Sequence, residues 1–189
     1  MPEMITFQPK QTSSIIKVLG VGGGGSNAVN HMFKLGIKGV DFAVCNTDLQ
    51  ALQDSPVPVK IEIGSNGGLG AGSKPDVGRN AAIESIDKIK EVLSTETQML
   101  FVTAGMGGGT GTGAAPVIAE LAKEMGILTV GIVTLPFQWE GRRRSLQALA
   151  GVDEMKTHVD SLLVINNDKL RIQFGNLSVR EAFAKADNV

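Results

Sequence analysis

Residues 104–116 read AGMGGGTGTGAAP, and six of the thirteen are glycine. An apolar run, MLFVT at 99–103, precedes them, and an apolar-periodic segment ending at Met125 follows. The order is strand, glycine loop, helix. A loop without Cβ atoms brings backbone N–H groups close to a ligand and takes positive φ freely. The helix is expected to open at Ala114, Ala115 and Pro116, with the proline in its first turn, where the missing N–H is no loss. The first N–H groups of a helix have no internal partner and carry a partial positive charge, so this arrangement suits a phosphate. Thr110 and Thr112 add hydroxyl donors. The plainer reading is a flexible linker, but linkers rarely stand between a buried-type strand and a well-formed helix.

Upstream, an apolar strand at 15–19 runs into GVGGGGSN at 20–27, a second glycine-rich turn. Ala28, Val29, Met32, Phe33 and Leu35 then recur at helical spacing until Gly36 stops them. A strand at 40–45 ends in Asn46-Thr47-Asp48, before a short helix at 49–52. An edge strand at 57–63, with Pro56 and Pro58 at its start, leads to a third glycine-rich loop at 64–72. Ser73-Lys74-Pro75-Asp76 resembles a helix start, with Ser73 three residues before an acid as in a capping box. Ala82, Ile86, Ile89 and Leu93 mark the buried face of one helix. Downstream come a strand at 127–134, a polar loop at 136–144 with the only tryptophan, Trp139, and a helix marked by Leu149, Val152, Met155 and Val159. A strand at 160–166 and a short helix at 167–174 follow. A last helix starts at Ser178, where Ser178 and Glu181 form a capping box. Residues 1–14 are polar and patternless, a loose arm.

Strands alternate with helices, and the central strands are continuous apolar runs. Both features predict an α/β fold: a three-layer, Rossmann-like, mostly parallel sheet with helices on both faces. Ligands of such sheets sit beyond the carboxyl ends of the strands. The glycine-rich and polar stretches at 22–27, 46–48, 70–73, 105–113, 136–144 and 166–168 all fall there, and their convergence says more than any one of them.

Composition narrows the classes. The chain has 189 residues and a net charge of −1, from 18 basic and 19 acidic side chains with no block of like charge. Neither a nucleic-acid partner nor an anionic membrane surface is suggested. Cys45 is the single cysteine, so no intrachain disulfide forms and a reducing compartment is expected. The N-terminus lacks a signal-peptide pattern, and no apolar run approaches the roughly 20 residues that cross a bilayer. The expectation is a cytoplasmic protein with no direct membrane insertion.

Gly20, Gly22 and Gly25 match G-x-G-x-x-G, with Asp48 a little over twenty residues on, which is the dinucleotide-binding fingerprint. A dinucleotide fold uses one such loop, whereas this chain has a second one better suited to phosphate. No Gly-Lys-Ser/Thr follows the glycines, so backbone N–H groups would hold the phosphates and a divalent cation would neutralise the remaining charge. Three classes stay open on these grounds: a nucleotide-hydrolysing protein, a dinucleotide-dependent oxidoreductase, and a nucleotide-sensing or purely structural module without turnover.

GGGTGTG at 107–113 resembles the signature loop of the tubulin superfamily of GTPases. GVGGGGSN at 20–27, NTD at 46–48, GLGAGSKPDVG at 68–78, PFQWEGRRR at 136–144 and AFAKADNV at 182–189 each resemble its bacterial cell-division branch, and the match runs over residues 15–189. The resemblance implies a GTPase that polymerises head to tail into division-ring filaments, partnered by itself and by division-ring regulators, at the division site. It implies GTP/GDP as ligand, with Mg²⁺ held through the phosphates and no metal ligands of the protein's own. By the same resemblance Gly23, Gly24, Gly25, Ser26 and Asn27 line the α-phosphate and base side, and Gly72 and Ser73 lie near the γ-phosphate. Gly109, Thr110 and Gly111 hold the β- and γ-phosphates, and Glu140 and Arg144 reach the ribose. Asn167 and Asp187 pair with guanine, and Phe183 stacks on it. Gly22, Asn46, Asp48, Gly105, Gly107, Gly108, Thr112 and Pro136 complete the nucleotide-binding set. Guanine offers two N–H donors on one edge that a carboxylate can accept together.

Taken singly, these residues read more plainly: Phe183 as core, Asp187 as solvated, Glu140 and Arg144 as a surface ion pair, Trp139 as partly buried loop packing, and 142–144 as a solvated basic run. His31 and His158 are assigned no chemistry. Ser73-Lys74 stands where the family has Ala-Asn, which leaves Lys74 either solvent-exposed or close to a γ-phosphate. The resemblance further implies a GTP-binding domain over 15–177, the start of a central helix at 178–189, and a second domain beyond. The acids that position water in the family would lie in that later segment and act on a neighbour's nucleotide, so no catalytic residue is assigned within this chain.

Overall fold

The computed structural model describes residues 14–65, 67–94 and 96–174, together with Ser178, Glu181 and Phe183. Six strands form one sheet: β1 (Ile16–Val21), β2 (Asp41–Asn46), β3 (Val59–Glu62), β4 (Met99–Gly105), β5 (Leu128–Leu135) and β6 (Ser161–Asn166), in the spatial order β3-β2-β1-β4-β5-β6. Every neighbouring pair is parallel, with Val21 opposite both Cys45 and Ala104. The helices are α1 (Gly22–Lys34), α2 (Leu49–Gln53), α3 (Pro75–Glu84), α4 (Ile86–Leu93), α5 (Thr110–Glu124), α6 (Arg142–His158) and α7 (Asn167–Phe174), with a 3₁₀ turn at Gln138–Glu140.

Both faces of the sheet are covered, because alternate side chains of a strand point to opposite faces. Leu19, Val21, Ala43 and Cys45 enter one apolar cluster with Ala114, Ile118 and Met155, while Val18, Phe42 and Val44 enter another with Val29 and Leu52. Cys45 is fully buried, and burial pushes its thiol up to about 12, so it behaves as a small neutral core residue. Lys17, 6% exposed in β1, donates from Nζ to the Val92 carbonyl near the end of α4 at 2.5 Å. Burial lowers its pKa, and the charge of Asp41 opposes that shift.

The strands fall where the sequence places them, and three helices, α1, α5 and α6, start earlier. The second glycine turn vanishes: α1 begins at Gly22 directly after β1, with Gly22 at φ +70° making the reversal. The organising loop is shorter too. Helix α5 begins at Thr110, four residues before the expected start, so Pro116 lies inside the helix rather than in its first turn. A proline has no N–H, so the Thr112 carbonyl loses its intrahelical donor there. Arg142 likewise opens α6 instead of lying inside the loop expected at 136–144.

Ser73 is not a helix cap. It sits at φ +57° beside Gly72 at φ +56°, and the N-cap of α3 is Lys74, whose side chain makes no capping bond. The left-handed pair folds the chain into a tight turn in which the Lys74 N–H reaches the Ala71 carbonyl at 3.0 Å. The single helix expected over 75–93 is two, broken at Ser85, whose Oγ accepts the Gly64 N–H at 2.9 Å and so fastens the third glycine loop. Leu149, expected on the buried face of α6, is 54% exposed, because that face is made by Ala148, Gly151, Val152 and Met155. The Ser178 capping box is present, with the Ser178 N–H on the Glu181 carboxylate at 2.9 Å and the Glu181 N–H on Ser178 Oγ at 3.4 Å. The Ser178 hydroxyl, which donates to the same carboxylate at 2.6 Å, and then the Ser178 N–H hold the Glu181 carboxyl below its ordinary pKa. The expected loose arm lies outside the described residues except for Ser14, as does most of the helix expected at 178–189.

Helices α3 and α5 meet backbone to backbone. A Cβ at Gly113 would lie 1.9 Å from the Pro75 carbonyl oxygen and 2.7 Å from the Arg79 nitrogen, whereas one at Gly23 would meet nothing within 4 Å. Alanine favours a helix over glycine by about 1 kcal/mol at either position. Urea unfolding is therefore expected to show Gly113→Ala less stable by about 1–3 kcal/mol, overpacking outweighing propensity. Gly23→Ala, in the same assay, is expected to be neutral or stabilising.

Candidate functional site

Strand order reverses between β1 and β4, and a parallel sheet opens a crevice at such a point beyond its carboxyl ends. Here the crevice is a cavity of about 980 Å³. Helices α1 and α5 both aim their N-termini at it, one from each side of the reversal. Glycine lets them close up. A Cβ at Gly22 would come within 2.7 Å of the Gly111 nitrogen, and one at Gly24 within 3.1 Å of the Gly105 Cα. Two sets of unpaired N–H groups, with the partial positive charge of two helix ends, thus merge into one floor for an anion.

The third glycine loop closes the cradle from above. Gly109 has a helical φ of −84°, so its conformation does not need glycine. Its position does, because a Cβ there would lie 2.7 Å from the Ala71 Cβ and 2.9 Å from the Lys74 nitrogen. Short polar links hold the loops in register. Thr47 Oγ1 and Thr110 Oγ1 share a buried hydrogen bond of 2.7 Å, and the Gly107 N–H reaches Thr112 Oγ1 at 2.8 Å. The Gly70 N–H donates to the Thr47 carbonyl at 3.0 Å, the Leu49 N–H to the Gly68 carbonyl at 3.1 Å, and Asp48 Oδ1 caps α2 by accepting the Ala51 N–H at 3.0 Å.

On the other side of the cavity Glu140 accepts the Phe137 N–H at 2.8 Å and pairs with Arg144 at 2.6 Å. Glu140 is largely buried and Arg144 is not, so the ion pair by itself contributes little to stability. The Gln138 N–H reaches both carboxylate oxygens of Asp168, at 3.1 and 3.3 Å, tying the 3₁₀ turn to α7. Asn167 is 4% exposed, lines the cavity, and has an Oδ1 with no hydrogen-bond partner among the described residues. A buried acceptor left alone costs about 1–3 kcal/mol. Ser26 Oγ is a second such atom.

All six stretches expected at the carboxyl ends reach this cavity. Gly23, Gly24, Asn27, Asn46, Asp48, Gly72 and Ser73 are on its wall, as are Gly105, Gly108, Gly109, Thr110, Gly111, Pro136, Glu140, Arg144, Asn167 and Phe183. Gly22, Gly25, Ser26, Gly107 and Thr112 are not on it. Gly25 packs instead against β4, where a Cβ would sit 2.1 Å from the Thr103 carbonyl oxygen, and Thr112 holds Gly107. Asp187 lies outside the described residues. Thr134, at the end of β5, and His31 of α1 also line the cavity and went unassigned in the sequence, the first because it reads as an ordinary strand residue. The wall continues past the polar loops into an apolar trough that includes Val18, Met32, Val40, Phe101 and Leu163.

The sequence model of the Tubulin/FtsZ family GTPase domain matches residues 15–174. The chain belongs to the Tubulin/FtsZ family. Among its relatives is the cell division protein FtsZ of Porphyromonas gingivalis, 57% identical over 176 residues, which covers 92% of this chain and 38% of that one. Among solved structures, an empty FtsZ dimer from M. jannaschii superposes with a TM-score of 0.89 at 44% identity, over 95% of this chain and 52% of that one. A GTPγS-bound protofilament of CetZ2 from Haloferax volcanii gives 0.81 at 27% identity, over 91% of this chain and 54% of that one. The chain thus spans about half the length of the proteins it matches, or less. Nothing in these likenesses supports the oxidoreductase alternative. Of the fingerprint glycines, Gly20 lies in β1 and Gly22 and Gly25 in the first turn of α1, and Asp48, the acid that would take a ribose in that reading, is engaged as the α2 cap.

Gly108 separates the cradle from the scaffold. It lines the cavity, and a Cβ there would meet no protein atom within 4 Å. Gly108→Val is expected to melt within about 2 °C of the parent chain, as surface substitutions usually do. GDP affinity by calorimetry should fall at least about tenfold, or 1.4 kcal/mol. Unchanged affinity would show that this loop does not hold phosphate.

Proposed function

We propose that this chain binds GTP and GDP in the cavity between α1 and α5, as the nucleotide-binding domain of a filament-forming, cell-division GTPase. The observation that carries the reading is the buried, unpartnered Asn167 Oδ1 on a cavity whose floor is two helix N-termini. Phosphates satisfy the orphan N–H groups of α1 and α5 at 22–27 and 108–111, and a purine N–H satisfies Asn167. Gly72 and Ser73 stand at the terminal phosphate, Glu140 and Arg144 at the ribose, Phe183 at the base plane. Asp187 accepts the two N–H groups of guanine. Mg²⁺ held by the phosphates supplies neutralising charge. Among the described residues no cluster of three or more His, Cys, Asp or Glu could hold a metal ion.

The full-length activity rests on the relatives. Their names and assemblies — a cell division protein, a dimer and a nucleotide-bound protofilament — support self-association into a filament; we propose that it runs head to tail in a division ring that recruits regulators. The site of action is the cytoplasm at the division plane. No helix among the described residues is long and apolar enough to cross a membrane.

Base choice follows from Asp187. Hydrogen bonds to a charged group contribute about 1.5–3 kcal/mol each, and adenine cannot offer the matching pair of donors. Calorimetry is expected to show GDP bound at least about tenfold more tightly than ADP. Asp187→Asn should weaken GDP and improve xanthosine diphosphate. Equal affinities for GDP and ADP would refute the guanine reading.

Turnover is a separate matter. Phosphoryl transfer to water needs a group that orients the attacking water. Asp48 and Glu140 are the carboxylates on the described cavity wall; Asp48 caps α2, and Glu140 is held by the Phe137 N–H and Arg144. We infer that the orienting group comes from the next subunit's C-terminal segment in the filament. The 189-residue polypeptide is therefore expected to bind GTP and to release phosphate slowly at every protein concentration. Release that climbs with concentration to the rate of a full-length relative would place the catalytic group within these residues.

A further inference from the structure

Three aromatic rings meet beside the proposed base site. Phe137 is fully buried, and Trp139 lies over it, with centroids 5.2 Å apart and planes 13° from parallel. Phe183 stands perpendicular to both, 5.2 Å from Phe137 at 90° and 6.0 Å from Trp139 at 86°. Offset stacks and perpendicular contacts at these separations are the arrangements that aromatic quadrupoles favour.

The two partners of Phe183 belong to a turn that is fastened on every side. The Glu140 N–H closes the turn on the Phe137 carbonyl at 3.0 Å, and the Phe137 N–H returns to the Glu140 carboxylate. Glu140 then pairs with Arg144, and Gln138 is tied to Asp168, the neighbour of Asn167. Ribose-side, base-edge and base-plane residues therefore share this one turn. Trp139 is 51% exposed, too open for a core residue, and its packing is spent on Phe137 and Phe183. Phe183 is 40% exposed on the cavity wall, so its ring plane is set by its ring neighbours.

We propose that Trp139 is a positioning residue for base binding: it fixes the plane of Phe183, which faces the purine. This rests on the guanine-nucleotide reading above. A ring plane held by the protein's own rings spares binding the cost of ordering an exposed ring.

A mutant cycle in GDP affinity, measured by calorimetry, tests it. Trp139→Ala is expected to weaken GDP about three- to tenfold, the range an aromatic pair contributes. The melting temperature without ligand should move by less than about 2 °C, since half of the ring is already in water. Trp139→Phe should restore most of the affinity. In a Phe183→Ala background, Trp139→Ala should change affinity less than about 1.5-fold, because nothing remains to be positioned. Losses that multiply independently would overturn the proposal, as would an unaltered Kd for Trp139→Ala alone. Failure of the parent chain to bind GDP at all would instead remove the nucleotide reading on which it stands.

Discussion

The structure depends on backbone packed directly against backbone at the carboxyl end of the sheet. Gly25 rests on the Thr103 carbonyl, Gly111 on the Gly105 carbonyl, Gly78 on the Gly109 carbonyl and Gly113 on the Pro75 carbonyl, each so close that a methyl group would overlap the oxygen. Each helical glycine costs about 1 kcal/mol of helix propensity. That cost is offset because the approach brings two helix N-termini into one cavity with their N–H groups unpaired. The same contacts couple α1, α3, α5 and β4, so the shape of the cradle is set by the core rather than by loop preference.

Around this floor the polar residues divide by role. Thr47, Thr110 and Thr112 bind each other or nearby backbone and hold the loops in place. Asp48 and Asn46 do the same for the β2–α2 turn, where Asn46 Oδ1 accepts the Asp48 N–H at 3.3 Å. Asn167 differs, with a buried acceptor on the cavity wall that no described residue satisfies. An uncompensated buried acceptor at a cavity suits a donor from outside.

The base side is built differently from the phosphate side. In the proposed reading, phosphate binding falls to backbone, which glycine makes accessible. Base and ribose recognition would fall to side chains on a 3₁₀ turn and the elements beside it, joined by rings and by one carboxylate. The relatives carry a large part of their chains outside the stretch matched here.

Much of this was legible in the residues alone. Strand runs with β-branched side chains, glycine clusters after them and apolar spacing after those determine a parallel α/β sheet with a cavity at its carboxyl ends, because periodicity reports burial directly. The glycine turn after β4 and the Ser178 cap were readable for the same local reason. Helix starts were not. Glycine and proline signal a loop by propensity, yet α1 starts at Gly22 and α5 runs through Pro116, since close packing against β4 and α3 outweighs local preference. Ser73 looked like a cap and became a left-handed turn, because the loop must fold back over Gly109. The division between glycines that face the cavity and glycines that face protein, the isolation of Asn167 Oδ1, and the three-ring contact around Phe183 are facts of distance between residues far apart in the chain. Only the tertiary structure could decide them.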